Sequence, residues 1–126
     1  MQLIAKQIFK KFRDLLNLNW KELSSVEELD KFIDSPNAVF ALFKHSTRCA
    51  ISAVAKKRLE LSWEKQNPEI PIYYIDLIQN RTLSNYIAEK FNVMHESPQL
   101  ILLRNGQSIY HASHLSINPK SIATYK

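Results

Sequence analysis

Apolar positions along the chain fall into blocks with either helical spacing or strand-length continuity. Ile4, Ile8, Phe12 and Leu15 recur at helical intervals, with Lys6, Lys10, Lys11 and Arg13 elsewhere, which predicts a helix over residues 2–16. Asn17-Leu18-Asn19 reads as a break, and Trp20 to Leu23 as a short edge strand or an extended lead-in. Ser24 and Ser25 precede Glu27 and Glu28, so a capping box fits in either register at the start of a helix from Val26 to Ile33. Asp34-Ser35-Pro36-Asn37 ends it. Ala38 to Phe43 is a continuous apolar run of strand length, the pattern of a central strand covered on both faces. A helix follows from Ala50 to Lys65, with Ile51, Ala55, Leu59 and Trp63 at four-residue intervals. Its first two turns are almost all apolar, which predicts a largely buried helix, and Asn67-Pro68 stops it. Ile70 to Ile78 is a strand rich in β-branched and aromatic residues. Leu83, Ile87 and Phe91 mark a helix from Thr82 to Phe91. Pro98 opens a strand from Gln99 to Leu103, and Asn105-Gly106 turns it into an antiparallel partner, Ser108 to Ala112. Asn118-Pro119 caps a final helix whose Ile122 and Tyr125 can reach the core.

This order is α/β. A strand, crossover helix and parallel strand, followed by a helix, a hairpin and a last helix, predicts a thioredoxin-like fold. The expected layout is a central mixed sheet flanked by helices, with an extra N-terminal helix. Residues 1–18 then form an amphipathic extension, and residues 19–126 the thioredoxin-like domain. The extension has two readings, a leading helix packed on the domain or one lying on a membrane surface, and the first is favoured.

Composition and charge change this picture at four points. The 126-residue chain has a single glycine, so neither a P-loop nor a dinucleotide fingerprint can be built. No apolar run approaches the ~20 residues of a membrane span, and the start lacks a signal peptide's apolar stretch. A net charge of +5 permits nucleic-acid contact, but no base-stacking aromatic set accompanies the cations, so no nucleic-acid partner is expected. One cysteine excludes an internal disulfide framework and points to a reducing, cytoplasmic setting.

That cysteine, Cys49, lies between the apolar run and the second helical pattern. Between Asp34 and Glu60 the chain carries Lys44, Arg48, Lys56, Lys57 and Arg58 and no carboxylate. A thiolate at a helix start among cations is the reactive form of a cysteine. The helix terminus alone is a modest contribution, so Arg48 and a hydrogen bond from Ser52 are expected to add to it. The competing reading is an inert cysteine in the core. His45, His95 and His114 have no close ligand spacing with Cys49, so no metal is expected.

The loop Thr47-Arg48-Cys49-Ala50-Ile51-Ser52 resembles the Thr-x-Cys-Pro-Ile-Ser loop of the monothiol bacilliredoxins, thioredoxin-fold proteins of the bacillithiol redox system. His95-Glu96-Ser97-Pro98-Gln99 is similar to that family's cis-proline loop, and Ser113-His114 to a pair after its last hairpin. The likeness runs from Asn19 to Ile117. It departs at Ala50, where the family usually has proline. The resemblance implies that Cys49 is the attacking thiol and that Pro98 is a cis-proline facing it. Ser97 would offer backbone groups to an extended thiol substrate, and Ser52 would replace a resolving cysteine. It implies a monothiol exchanger that takes bacillithiol off mixed disulfides on client proteins. Bacillithiol is then a co-substrate, and there is no resident cofactor. His45 and His95 are placed beside the site as candidates to assist proton transfer. Two other classes stay open: an iron–sulfur carrier like the monothiol glutaredoxins, and a non-catalytic binding module. The first is weakened because the Gly-Gly pair of those relatives is absent here.

Overall fold

The computed structural model describes residues 4–8 and 20–125. Strands β1 (Lys21–Glu22), β2 (Val39–His45), β3 (Ile72–Asp76), β4 (Gln99–Arg104) and β5 (Gln107–Ser113) form one sheet, in the order β1-β3-β2-β4-β5. β3 runs parallel to both β1 and β2, whereas β4 is antiparallel to β2 and to β5. Helices α1 (Val26–Ile33), α2 (Ala50–Gln66) and α3 (Arg81–Lys90) fill the connections. The element order and mixed sheet are those expected for a thioredoxin-like α/β fold.

The continuous apolar runs have the reason anticipated for them, since both sheet faces are covered. On one face Ala41, Phe43, Leu100 and Leu102 pack with Ala55, Leu59 and Trp63 of α2 and with Ile122. On the other, Phe40, Leu42, Ile101 and Leu103 pack with Leu29 and Ile33 of α1 and Leu83 and Ile87 of α3. Alternate residues of β2 therefore serve opposite cores, which decides where Lys44 and His45 go.

Local chemistry sets the boundaries. Ser25 is the N-cap of α1: its Oγ accepts the Glu28 N–H at 3.2 Å, and Glu28 Oε1 accepts from Ser24 Oγ at 2.8 Å. Ser25→Ala should therefore lower stability by about 1 kcal/mol, measured as a shifted urea midpoint with an unchanged slope. Asn105 and Gly106 take φ of 53° and 71°, the left-handed pair of a two-residue hairpin. The last element is a 3-10 helix, Pro119–Tyr125, which buries Ile122.

One expectation about the helices changes. α2 is not largely buried: Ser52, Ala55, Leu59 and Trp63 form its inward stripe, while Ile51 and Val54 are 45% and 51% exposed. A helix lying on a sheet hides one stripe, and here that stripe starts at Ser52 rather than Ile51. Residues 4–8 are helical with Ile4 and Ile8 exposed. The rest of the helix expected over 2–16 lies outside the described residues.

Candidate active site

β2 ends at His45, and four residues later the chain enters α2. Cys49 is the N-cap of that helix, with extended backbone at φ −109° and ψ 122°. Its N–H donates to the Ser46 carbonyl at 3.2 Å, closing a tight turn, and its carbonyl accepts from Ala53 N–H at 3.1 Å. Thr47, Arg48 and Ala50 are exposed, and Cys49 is half-buried. A core cysteine would be shut off from solvent; this one is not. The first turn of α2 holds no acidic residue, so its unpaired N–H groups present uncancelled positive charge at the sulfur's end of the helix.

Ser52 has no exposed surface. Its hydroxyl lies 2.6 Å from His45 Nδ1 and accepts the Ser46 N–H at 3.0 Å. The hydrogen bond expected from Ser52 to the Cys49 sulfur is thus replaced by a link to the strand below. The helical phase explains this: residue 52 belongs to the sheet-facing stripe, so its side chain meets His45. Ser52 stands three residues after the thiol, yet it is part of the foundation and not of the surface.

The second loop comes from β4. Ser97–Pro98 is a cis peptide bond. Lys44 pairs with Gln99 across β2 and β4, so Pro98 lies just past the last pair, beside the end of β2 from which the Cys49 loop departs. The Pro98 carbonyl accepts from His114 N–H at 3.0 Å, and Ser113 Oγ donates to Glu96. The Ser113-His114 pair therefore braces the cis-proline loop from β5. Ser97 Oγ and Gln99 Oε1 are buried without a partner among the described residues.

The sequence places Lys44 among the cations around the thiol, and the structure moves it. Alternation along β2 sends it to the Leu42 face, away from the face that receives His45 and Ser52, and buries it completely. Its Nζ donates to the Ser84 carbonyl at 3.2 Å and lies 3.3 Å from His95 Nδ1, with Ser84 Oγ 3.2 Å from the same nitrogen. Burial pushes the Lys44 ammonium down from 10.5 to about 8. His95 ionises below its ordinary value through partial burial, then Lys44 and Arg81. His45 is also lowered, by burial first and by Lys56 second. Sequence reasoning missed Lys44 because a lysine after an apolar run reads as a strand end in water. The usable signal was its even spacing from Phe40 and Leu42.

The family model for monothiol bacilliredoxin BrxC matches residues 21–122. The chain belongs to the monothiol bacilliredoxin family. A solved thioredoxin-fold protein assigned as an oxidoreductase is 35% identical to this bacilliredoxin, with a TM-score of 0.74, covering 86% of this chain and 97% of that one. Thioredoxin from Fasciola hepatica shares 18% identity over 83% of this chain and 94% of its own, at a TM-score of 0.63. Mitochondrial thioredoxin 3 from Saccharomyces cerevisiae shares 17% over 83% and 91%, also at 0.63. These two show the fold alone. Family and fold together assign the bacilliredoxin to thiol–disulfide redox chemistry, and its single cysteine fits a monothiol mode.

Proposed function

We propose that this bacilliredoxin is an enzyme that removes bacillithiol from mixed disulfides on client proteins, with Cys49 as the only sulfur it contributes. The Cys49 thiolate attacks the bacillithiol sulfur in line; that sulfur's bond to the client cysteine breaks. The client leaves as a thiolate and takes a proton from water, and Cys49 carries the bacillithiol as a new mixed disulfide. A second low-molecular-weight thiol then attacks this disulfide, leaves with the bacillithiol as a small-molecule disulfide, and restores Cys49. No internal resolving step exists, because Ser52 offers no sulfur and is buried.

The observation that carries the reading is the half-exposed Cys49 at the N-cap of α2, with no carboxylate in the first turn. Exposed Ile51 and Val54, on the two turns after the thiol, provide apolar surface that suits a protein client rather than a free small disulfide. Ser97 and Pro98, just before β4, are the residues for the substrate's extended segment. A reducing compartment such as the cytoplasm would keep Cys49 ready for attack.

The test is a client protein blocked at one cysteine, either with bacillithiol or with glutathione, incubated with the bacilliredoxin and excess small thiol. Faster release of bacillithiol than of glutathione is the expected result. Equal rates would leave general thiol exchange and remove the bacillithiol assignment.

A further inference from the structure

Below the Cys49 loop lies a short chain of hydrogen bonds that the exchange chemistry has not used. His45 Nδ1 and Ser52 Oγ are 2.6 Å apart, Ser52 Oγ accepts from Ser46 N–H at 3.0 Å, and the Ser46 carbonyl accepts from Cys49 N–H at 3.2 Å. Both backbone groups of Ser46 are thereby tied, one to the inner stripe of α2 and the other to the residue bearing the sulfur. We propose that His45 is a positioning residue for Cys49, acting through the Ser52 hydroxyl to hold the Ser46–Cys49 turn. This gives Nδ1 of His45 the task of holding the turn, since that nitrogen is engaged by Ser52. This rests on the proposed function only in taking Cys49 as the reacting thiol, whichever small thiol is used.

The direction of the 2.6 Å bond follows from what Ser52 must satisfy. The Ser46 N–H already donates to its oxygen. If the imidazole donated as well, the proton of a fully buried hydroxyl would have no acceptor among the described residues, which is unfavourable. Ser52 therefore donates to Nδ1, and neutral His45 carries its proton on Nε2. The surroundings keep His45 neutral. It is packed against Phe43 and Tyr74 and faces Lys56 and Glu60 from α2 and Asp76 from β3; burial and Lys56 outweigh Asp76, a backbone hydrogen bond at Ser52 and Glu60, which favour the charged ring. In acid the imidazolium turns Nδ1 into a donor, and the bond to Ser52 must reverse.

The experiment measures reaction of Cys49 with dithiodipyridine, a disulfide reagent that still works in acid, on folded protein from mildly acidic to neutral pH. Four variants are compared with the parent: His45→Asn, His45→Phe, Ser52→Ala and the Phe/Ala double. Asparagine keeps an acceptor near the place of Nδ1 and does not titrate. His45→Phe and Ser52→Ala should each slow the thiol about tenfold, the scale of one unpaired buried group. His45→Asn should retain most of the rate, and the double variant should be no slower than the slower single. The parent should show an extra downward step on acidification that is absent from His45→Asn and Ser52→Ala. The inference is overturned if His45→Asn is as slow as His45→Phe, if the double variant multiplies the two losses, or if Ser52→Ala keeps the acid step. Unchanged rates in all four variants would overturn it as well, while leaving bacillithiol release by the parent unaffected.

Discussion

Cys49→Ser should reduce release of bacillithiol from a blocked client to the uncatalysed rate. A hydroxyl forms no disulfide, and no other cysteine is present to replace it. The same substitution should not weaken the fold. Cys49 makes no side-chain hydrogen bond at the helix start, whereas serine is among the preferred N-cap residues. Stability should therefore stay level or rise by up to about 1 kcal/mol. Loss of activity together with an equal or higher urea midpoint separates the chemistry from the scaffold. Activity that survived in the serine protein would end the account of the site.

The second large effect concerns Lys44. Its ammonium sits between the Ser84 carbonyl and His95 with no carboxylate within ion-pair reach among the described residues. Its folded-state value of about 8 lies below the 10.5 of an exposed lysine. The unfolded chain therefore binds more protons between those limits, and stability rises with pH across that window. Below it, the buried cation costs up to about 3 kcal/mol, at roughly 1.36 kcal/mol per unit. Lys44→Met removes that charge and also two hydrogen bonds, each contributing about 0.5–1.5 kcal/mol. The net expectation is a gain of about 1 kcal/mol at neutral pH and a flattened rise from about pH 7 to about pH 9.5. The upper limit stays below the range of Tyr74, which burial raises above 10. Urea unfolding of both proteins at the two pH values measures this. A methionine protein that was several kcal/mol weaker, or kept the full pH dependence, would mean the ammonium is compensated by something other than the contacts named.

Much of the scaffold was legible because local and global signals agree. The Ser25 and Glu28 pair opens α1 where the capping box predicted, and the apolar runs became β2 and β4 because both faces are covered. Residue type alone could not give the phase of α2. Ile51 and Val54 are apolar yet outside, and Ser52 is polar yet inside, because a histidine on the strand beneath satisfies its hydroxyl. The same limit applies to the site. Cys49 and Pro98 could be picked out by motif, and the cis bond before Pro98 is present. The bonds that define their surroundings could not. His45 meets a residue seven positions on and Lys44 one fifty-one positions on, from opposite faces of one strand. Only the strand's alternation, combined with the helix packed on each side, determines those pairs.

The most direct measurement is a single turnover followed by intact mass. Reduced protein is mixed with an equal amount of client blocked by bacillithiol, no second thiol is present, and the reaction is quenched in acid. The account predicts that the client loses one bacillithiol while this chain gains one, located at Cys49 and stable until a small thiol is added. Transfer with no adduct on Cys49, or a disulfide joining the client itself to this chain as the only product, would contradict it.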